Sequence, residues 1–320
     1  MKKIIVVLIA STAMLGCQEV PQQETQTSLP DAPGAPYMAT GIKIGEVTDT
    51  EAIIWVRLTA NEERIPDGAP MPIITYVNPD TREPLAEVRH RQRDAAPVVE
   101  FPDGSSIDTI EGAAPGARGV ARVHYKPETD AEFKVAEWQK VDSEADYTTQ
   151  FQLSGLLPGT QYVLRIESGV SIRGAHRFLD GGFRTAPAPD SVEPVTFTVV
   201  TGQRYPNRDS EGGWKIYDSM LNIQPNFFVH TGDILYYDQL AKTRALANWH
   251  WQRTYSLDKL VNFHKQVPSY FIKDDHDTFI NDAWPTMETH YMGEFTFEQG
   301  LEVFRQQVPM GEKTYRTVRW

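Results

Sequence analysis

Beyond Pro187 the chain alternates continuously apolar, strand-like runs with helical stretches, and this rhythm restricts the fold more than any other feature. The apolar runs cover residues 195–200, 226–230 and 269–272. Between the first two, Trp214, Ile216, Tyr217, Met220 and Leu221 fall on one helical face. A long helical stretch from about residue 240 to 265 separates the second run from the third. Strand, helix, strand, helix, strand with unbroken apolar strands predicts a parallel sheet with helices packed on it. Ligands of such sheets collect at the carboxyl ends of the strands.

The preceding segment, residues 38–186, obeys a different period. Residues 52–58 form a strand-like run whose Trp55 suits a sandwich core, and residues 147–153 place apolar side chains at every second position towards their end. The segment Leu156-Leu157-Pro158-Gly159-Thr160-Gln161-Tyr162 resembles the corner before a late strand of fibronectin type III domains. In that device a tyrosine hydroxyl bonds back to upstream backbone, and here the tyrosine is Tyr162. Residues 79–135 are polar and broken by Gly and Pro, and read as a long, partly irregular insertion. Residues 187–194 open on Pro187-Ala188-Pro189-Asp190 and read as a stiff linker.

The first residues carry an address. Lys2 and Lys3 precede an apolar stretch from Ile4 to Leu15, too short to span a bilayer comfortably and patterned as a signal peptide over residues 1–16. It ends in Met14-Leu15-Gly16-Cys17, which resembles a bacterial lipobox, and Cys17 is the single cysteine of the chain. The expectation is lipidation of Cys17, with residues 17–37, rich in Gln, Glu, Pro and Thr, as a flexible tether. The protein would then be exported and anchored by lipid in a bacterial cell envelope, in the periplasm or at the surface. A formal net charge of -12 gives no basic footprint for nucleic acid. It leaves a phosphate ester open as substrate, because a bound metal inverts the local field.

Two of the apolar runs end in acidic clusters. One is Thr231-Gly232-Asp233-Ile234-Leu235-Tyr236 and the other is Asp274-Asp275-His276-Asp277. Hard oxygen donors beside a histidine suit iron, manganese, calcium or zinc. In a two-metal site one carboxylate bridges the ions, which activate a hydroxide for in-line displacement at phosphorus.

Gly232-Asp233 after one apolar strand and an acidic-His pair after a later one resemble the calcineurin-like metallophosphoesterases. Asp-Asp-His-Asp, together with a tyrosine three residues after the first aspartate, resembles the alkaline phosphatase D (PhoD-like) family. The resemblance implies an all-β sandwich followed by the first half of an α/β calcineurin-like domain over residues 195–320. It implies Asp233 as bridging ligand, Tyr236 as ligand to ferric iron, Asp275 as ligand to the second metal, and His276 as the catalytic group facing phosphate. Iron and calcium are the implied metals, and a small phosphate ester the implied substrate. Two departures stand out. Gly202 occupies the position where the family often has a cysteine ligand, which raises Gln203, water or another metal as a replacement. The family's remaining ligands would lie beyond Tyr315-Arg316-Thr317-Val318-Arg319-Trp320, which looks like a strand entering the second half of the domain. The expectation is therefore a truncated chain, inactive by itself. The competing reading is a degenerate phosphatase domain acting as a ligand-binding surface lipoprotein.

The other polar residues carry blander expectations. His230 reads as a core histidine, Asp274 as an orienting group, and Asp277 as a cap of the segment after it. Trp249, His250, Trp251 and Arg253 read as packing and surface residues of a helix. His90, His124 and His176 have no partner at metal spacing.

Overall fold

A computed structural model describes residues 34–88, 94–313, 315 and 317–320. The leader, Cys17 and most of the tether lie outside the described residues, as does His90. The first ten strands are β1 (Ile42–Gly45), β2 (Glu51–Arg57), β3 (Ile73–Val77), β4 (Ala96–Glu100), β5 (Val120–Pro127), β6 (Lys134–Val135), β7 (Gln139–Lys140), β8 (Thr148–Ser154), β9 (Gln161–Gly169) and β10 (His176–Arg184). They form a sheet of order β1-β2-β8, a second of order β10-β9-β5-β6 with β7 also on β5, and a separate β3-β4 hairpin.

Alternation of side chains along the strands builds the core. Ile44, Ile54 and Phe151 from one sheet meet Val123, Leu164 and Phe183 from the other. The corner forms as the sequence predicts: the Leu157 amide donates to the Tyr162 hydroxyl at 2.8 Å, and the Tyr162 ring stacks on Phe183. The supposed insertion is narrower than residues 79–135, because β5 pairs with β9 along its whole length. Its polar composition concealed a strand whose alternate residues, Ala121 and Val123, are fully buried.

Trp55 is not in the sandwich core. It lies between Ile54 and Val56, so it faces the other side of β2. There its indole donates to the Gln306 carbonyl at 2.6 Å. On the same side Lys43 sits 3.7 Å from the Trp55 ring centroid and donates to the Gln307 carbonyl at 2.6 Å. Arg57 pairs with Asp146 at 2.8 Å, and the Gln307 amide donates to the same carboxylate at 2.7 Å. Burial, and then the charge of Arg57, hold the Lys43 ammonium well below its ordinary pKa. The outer face of this sheet is thus buried against the C-terminal part of the chain.

That part contains β11 (Phe197–Val200), α1 (Ile216–Asn222), β12 (Phe227–His230), α2 (Arg244–Tyr255), α3 (Asp258–His264), β13 (Ser269–Phe271) and α4 (Phe297–Gln307). The three strands are parallel in the order β11-β12-β13, as the apolar runs imply. The long helical stretch is two helices. Thr243 caps the first, its hydroxyl accepting from the Leu246 amide. Ser256 then turns its hydroxyl back on the Gln252 carbonyl at 2.6 Å and Leu257 adopts an extended backbone, which ends α2. The Thr296–Gln299 capping box starts α4. Residues 315 and 317–320 form no strand, and Trp320 instead packs 5.3 Å from the ring of Phe227. Among the described residues no helix is long and apolar enough to cross a membrane.

Candidate metal centre

The parallel register sets the site. Val200 pairs with His230 and His230 with Phe271, so the loops leaving β12 and β13 emerge side by side. Their close approach depends on Gly232: a Cβ there would lie 2.7 Å from the Asp274 Cβ. Gly232 has φ 112° and Asp233 has φ 50°. This left-handed turn, unfavourable for a residue other than glycine, marks Asp233 as held by its surroundings.

The result is one cluster of metal-ligating type among the described residues. Oxygens of Asp233 and Asp275 and a ring nitrogen of His276 all lie within 4.8 Å of one another. Tyr236 joins them by donating its hydroxyl to the Asp233 carboxylate at 2.9 Å, and its ring lies 4.4 Å from that of His276. All four sequence-predicted site residues that the structure describes therefore meet at the carboxyl edge of the sheet.

The electrostatics fit a cation. Burial raises the Asp233 pKa, the Tyr236 hydrogen bond lowers it, and the carboxylates of Asp274 and Asp275 raise it further. The Tyr236 phenol is pushed up to about 12 by burial and by the Asp233 carboxylate. Both groups resist ionisation while carboxylates crowd together, and a polyvalent cation at the cluster reverses this. Two carboxylates, a phenol and an imidazole form the hard, mixed O/N donor set that iron, manganese or zinc accepts.

Asp238, which sequence reasoning passed over, orients the histidine. Its carboxylate lies 2.6 Å from His276 Nδ1 and also accepts from the Asn281 amide at 2.9 Å. With Nδ1 engaged, Nε2 is the nitrogen left for the cluster. Burial opposes the imidazolium, but the Asp238 hydrogen bond and the charges of Asp238, Asp233 and Asp275 outweigh it and raise the His276 pKa. For Asp238 itself, burial is outweighed by the His276 and Asn281 hydrogen bonds, and its pKa falls. Asp238 follows Asp233 by five residues in an otherwise aromatic and aliphatic run, and a lone acid among Leu235, Tyr236 and Tyr237 was the available signal.

Asp274 accepts from the Asp275 amide at 2.9 Å, an orienting contact. Asp277 is fully buried and ties the loop backwards by accepting from the Asp274 amide at 2.8 Å, rather than capping the residues after it. Burial lifts its pKa to about 7. His230 is a core residue as expected, but neither ring nitrogen has a hydrogen-bond partner, so it is not the satisfied histidine the sequence suggests; burial lowers its pKa to about 3. Gly202 has φ 71°, and a Cβ there would lie 3.9 Å from the Tyr236 hydroxyl. Its position beside the cluster therefore contributes no ligand. Gln203 does not replace it, because its side-chain carbonyl accepts the buried hydroxyl of Tyr217.

Tyr236, Asp238 and His276 also line a cavity of about 900 Å³ that extends towards α2. His250 and Arg253 are buried, as a packing role requires, yet both line this cavity.

No family model and no curated protein sequence matches the chain. Among solved structures, PhoD is similar over 90% of this chain and 49% of its own, with TM-score 0.58 and 14% identity. The purple acid phosphatase PPD1 from yellow lupin (Lupinus luteus) seeds is similar over 85% of this chain and 41% of its own, with TM-score 0.48 and 10% identity. The chain thus spans about half the length of these structures. Over 90% of its length it has the fold of PhoD, here an all-β sandwich followed by a parallel α/β layer.

Proposed function

We propose that the protein is a metal-dependent phosphoric-ester hydrolase acting on small phosphate monoesters or diesters, held at a bacterial cell envelope by a lipid on Cys17. The observation that carries the catalytic part is the convergence of Asp233, Asp275 and His276 within 4.8 Å at the carboxyl edge of a parallel sheet. Asp233, Tyr236 and Asp275 would hold the metals, with iron and calcium as the pair the family resemblance suggests. When bound, such ions lower the pKa of a coordinated water and polarise the phosphoryl oxygens. Asp233 supplies a carboxylate between the two strand-end loops. Tyr236 would be held as a phenolate ligand to a trivalent ion, its proton passing to water. Asp238 holds the His276 ring so that Nε2 faces the phosphate, where a raised pKa keeps a proton available for an anionic oxygen.

The test is metal content and turnover of an activated phosphodiester in wild-type protein and in Asp233→Asn, which keeps the shape but removes the charge. Loss of metal and of turnover together is expected. Unchanged metal content in Asp233→Asn overturns the ligand assignment. His276→Ala separates the two places a histidine can take here: retained metal with lost turnover puts it on the phosphate, and lost metal puts it on the ion. Envelope anchoring is tested separately by Cys17→Ser, which should release the protein from membranes.

Gly202 favours a second reading, a surface protein that binds a phosphorylated ligand without cleaving it. Where the resembling family often has a cysteine ligand, this site has a glycine whose added Cβ would lie 3.9 Å from the Tyr236 hydroxyl. Phosphate binding without turnover in metal-loaded protein would establish that reading.

A further inference from the structure

The described chain enters the sandwich tied to the base of one hairpin. The Ala35 carbonyl accepts from Arg177 Nε at 2.9 Å, and the Pro36 carbonyl accepts from the Ser168 hydroxyl at 2.7 Å. The Arg177 guanidinium also lies 3.6 Å from the centroid of the Tyr37 ring. Ser168 and Arg177 face each other in the β9–β10 register, one step before the Gly169–His176 pair that ends the ladder. The entry of the chain and the tip of this hairpin, residues 170–175, therefore share one end of the sandwich. The Tyr162 corner lies at the opposite end of β9.

The tip is apolar where it meets water. Val170 and Ile172 are 65% and 57% exposed. In a chain of net charge -12, residues 170–175 carry no acid, and Arg173 is their single charge. Some of the tip's polar groups are already engaged. The Ser171 hydroxyl donates to the Arg173 carbonyl and accepts from the Arg173 amide at 3.3 Å, and the His176 ring lies 3.1 Å from the Ser171 carbonyl. Groups paired in this way cost less to move out of bulk water.

Scattered exposed aliphatic residues are ordinary on protein surfaces. Position sets these two apart. Only residues 18–33 separate Cys17 from Gly34, a stretch that reaches at most about 60 Å when extended. A lipid on Cys17 would keep a bilayer within that reach of the chain's entry, and so of the tip beside it. A contact too weak to hold a free protein then becomes the second half of a bivalent attachment, because each encounter is intramolecular.

We propose that the tip of the β9–β10 hairpin is a membrane-contact surface. Val170 and Ile172 enter the interfacial layer of the bilayer that holds the Cys17 lipid, and Arg173 reaches the phosphate headgroups along its apolar stem. The sandwich then stands on the membrane by this end. The proposal rests on the lipid-anchor part of the function proposed above and not on hydrolysis.

The experiment uses the lipidated protein in vesicles of phosphatidylethanolamine and phosphatidylglycerol. Cys17 is the single cysteine, and the lipid would occupy its sulfur, so Ile172→Cys introduces one thiol for an environment-sensitive nitrobenzoxadiazole label. Leu157→Cys, at the opposite end of β9 and 55% exposed, is the matched control. The label at 172 is expected to shift to the blue, brighten several-fold and be quenched by nitroxide-bearing phospholipid. The label at 157 should keep its emission in water. Val170→Glu, added to the Ile172→Cys protein and checked for folding by circular dichroism, should return the 172 label towards water while the protein still floats with the vesicles. A floating protein whose two labels behave alike, both in water or both in lipid, overturns the hairpin contact and leaves the anchor standing. A wild-type protein that neither floats nor incorporates fatty acid overturns the anchor, and the hairpin contact falls with it.

Discussion

The sandwich and the parallel sheet bury apolar residues differently. In the sandwich the inner faces of both sheets close on each other, and the outer face of β1-β2-β8 is covered as well: Lys43, Trp55 and Arg57 are each 1% exposed or less. In the parallel sheet only part of the surface is covered. Phe228 is fully buried under α1 and α3, yet Phe197 and Val199 on β11 and Ile272 after β13 are each 53% exposed. The same residue types therefore carry very different weights. An apolar residue stabilises in proportion to the surface it withdraws from water, and being in a strand guarantees none of that. The site sits in the less enclosed region, where two loops meet and a substrate can enter, while the more enclosed region holds the sheet edge in place.

The largest effect should come from the buried junction of the two regions. Trp55→Ala removes a fully buried indole, its bond to Gln306 and the aromatic surface beneath Lys43. A loss of about 3–5 kcal/mol is expected in denaturant unfolding. A change below about 1 kcal/mol would show that the junction contributes little and that the two regions are stable independently.

Lys242 tests the interior of the α/β region through pH. Its ammonium is buried, donates to the Asp238 and Tyr291 carbonyls, and is depressed to about 7 chiefly by burial. Between about pH 7 and pH 10 the folded protein holds this lysine neutral while the unfolded chain still binds the proton. Unfolding takes up a proton there, so raising the pH increases stability, by at most about 1.4 kcal/mol per pH unit. Lys242→Met should lack this gain when melting temperature is followed across that window. Parallel curves for the two proteins would mean that Lys242 stays charged in the fold.

A smaller effect is expected at the corner of the sandwich. Tyr162→Phe keeps the ring on Phe183 and removes only the acceptor for the Leu157 amide. The cost should be about 1 kcal/mol by denaturant midpoint. No cost would demote the corner to a packing feature. The smallest effect belongs to the exposed strand: Val199→Ser should change stability by less than about 0.5 kcal/mol. A larger loss would mean that the outer face of β11 is covered in solution, and the contrast between the two regions would disappear.

Much of this was legible beforehand where the physics is local. Period-2 alternation, unbroken apolar runs and a Pro-Gly corner mark strands because they depend on neighbouring residues alone, and Tyr162 makes the bond its corner implies. The acidic ends of two apolar runs marked Asp233, Asp275 and His276, because a parallel sheet brings strand ends to one edge whatever the details of packing, and the family resemblance added Tyr236. What depended on long-range pairing was hidden. Trp55 looked like core from its run, but its face was settled by α4, some 250 residues later in the chain. The β5 strand was masked by Arg122, His124 and Lys126, polar residues that alternate with its buried Ala121 and Val123.

The chain's own order of residues thus determined most of the elements, their class and the groups gathered at the strand ends. Tertiary structure alone decided which partners those groups meet. Asp238 orients His276 only because two loops 38 residues apart converge, and Gln203 is withdrawn from the site only because Tyr217 reaches it. Hydrogen bonding and charge pairing act over a few ångströms of space, and sequence separation says nothing about that distance.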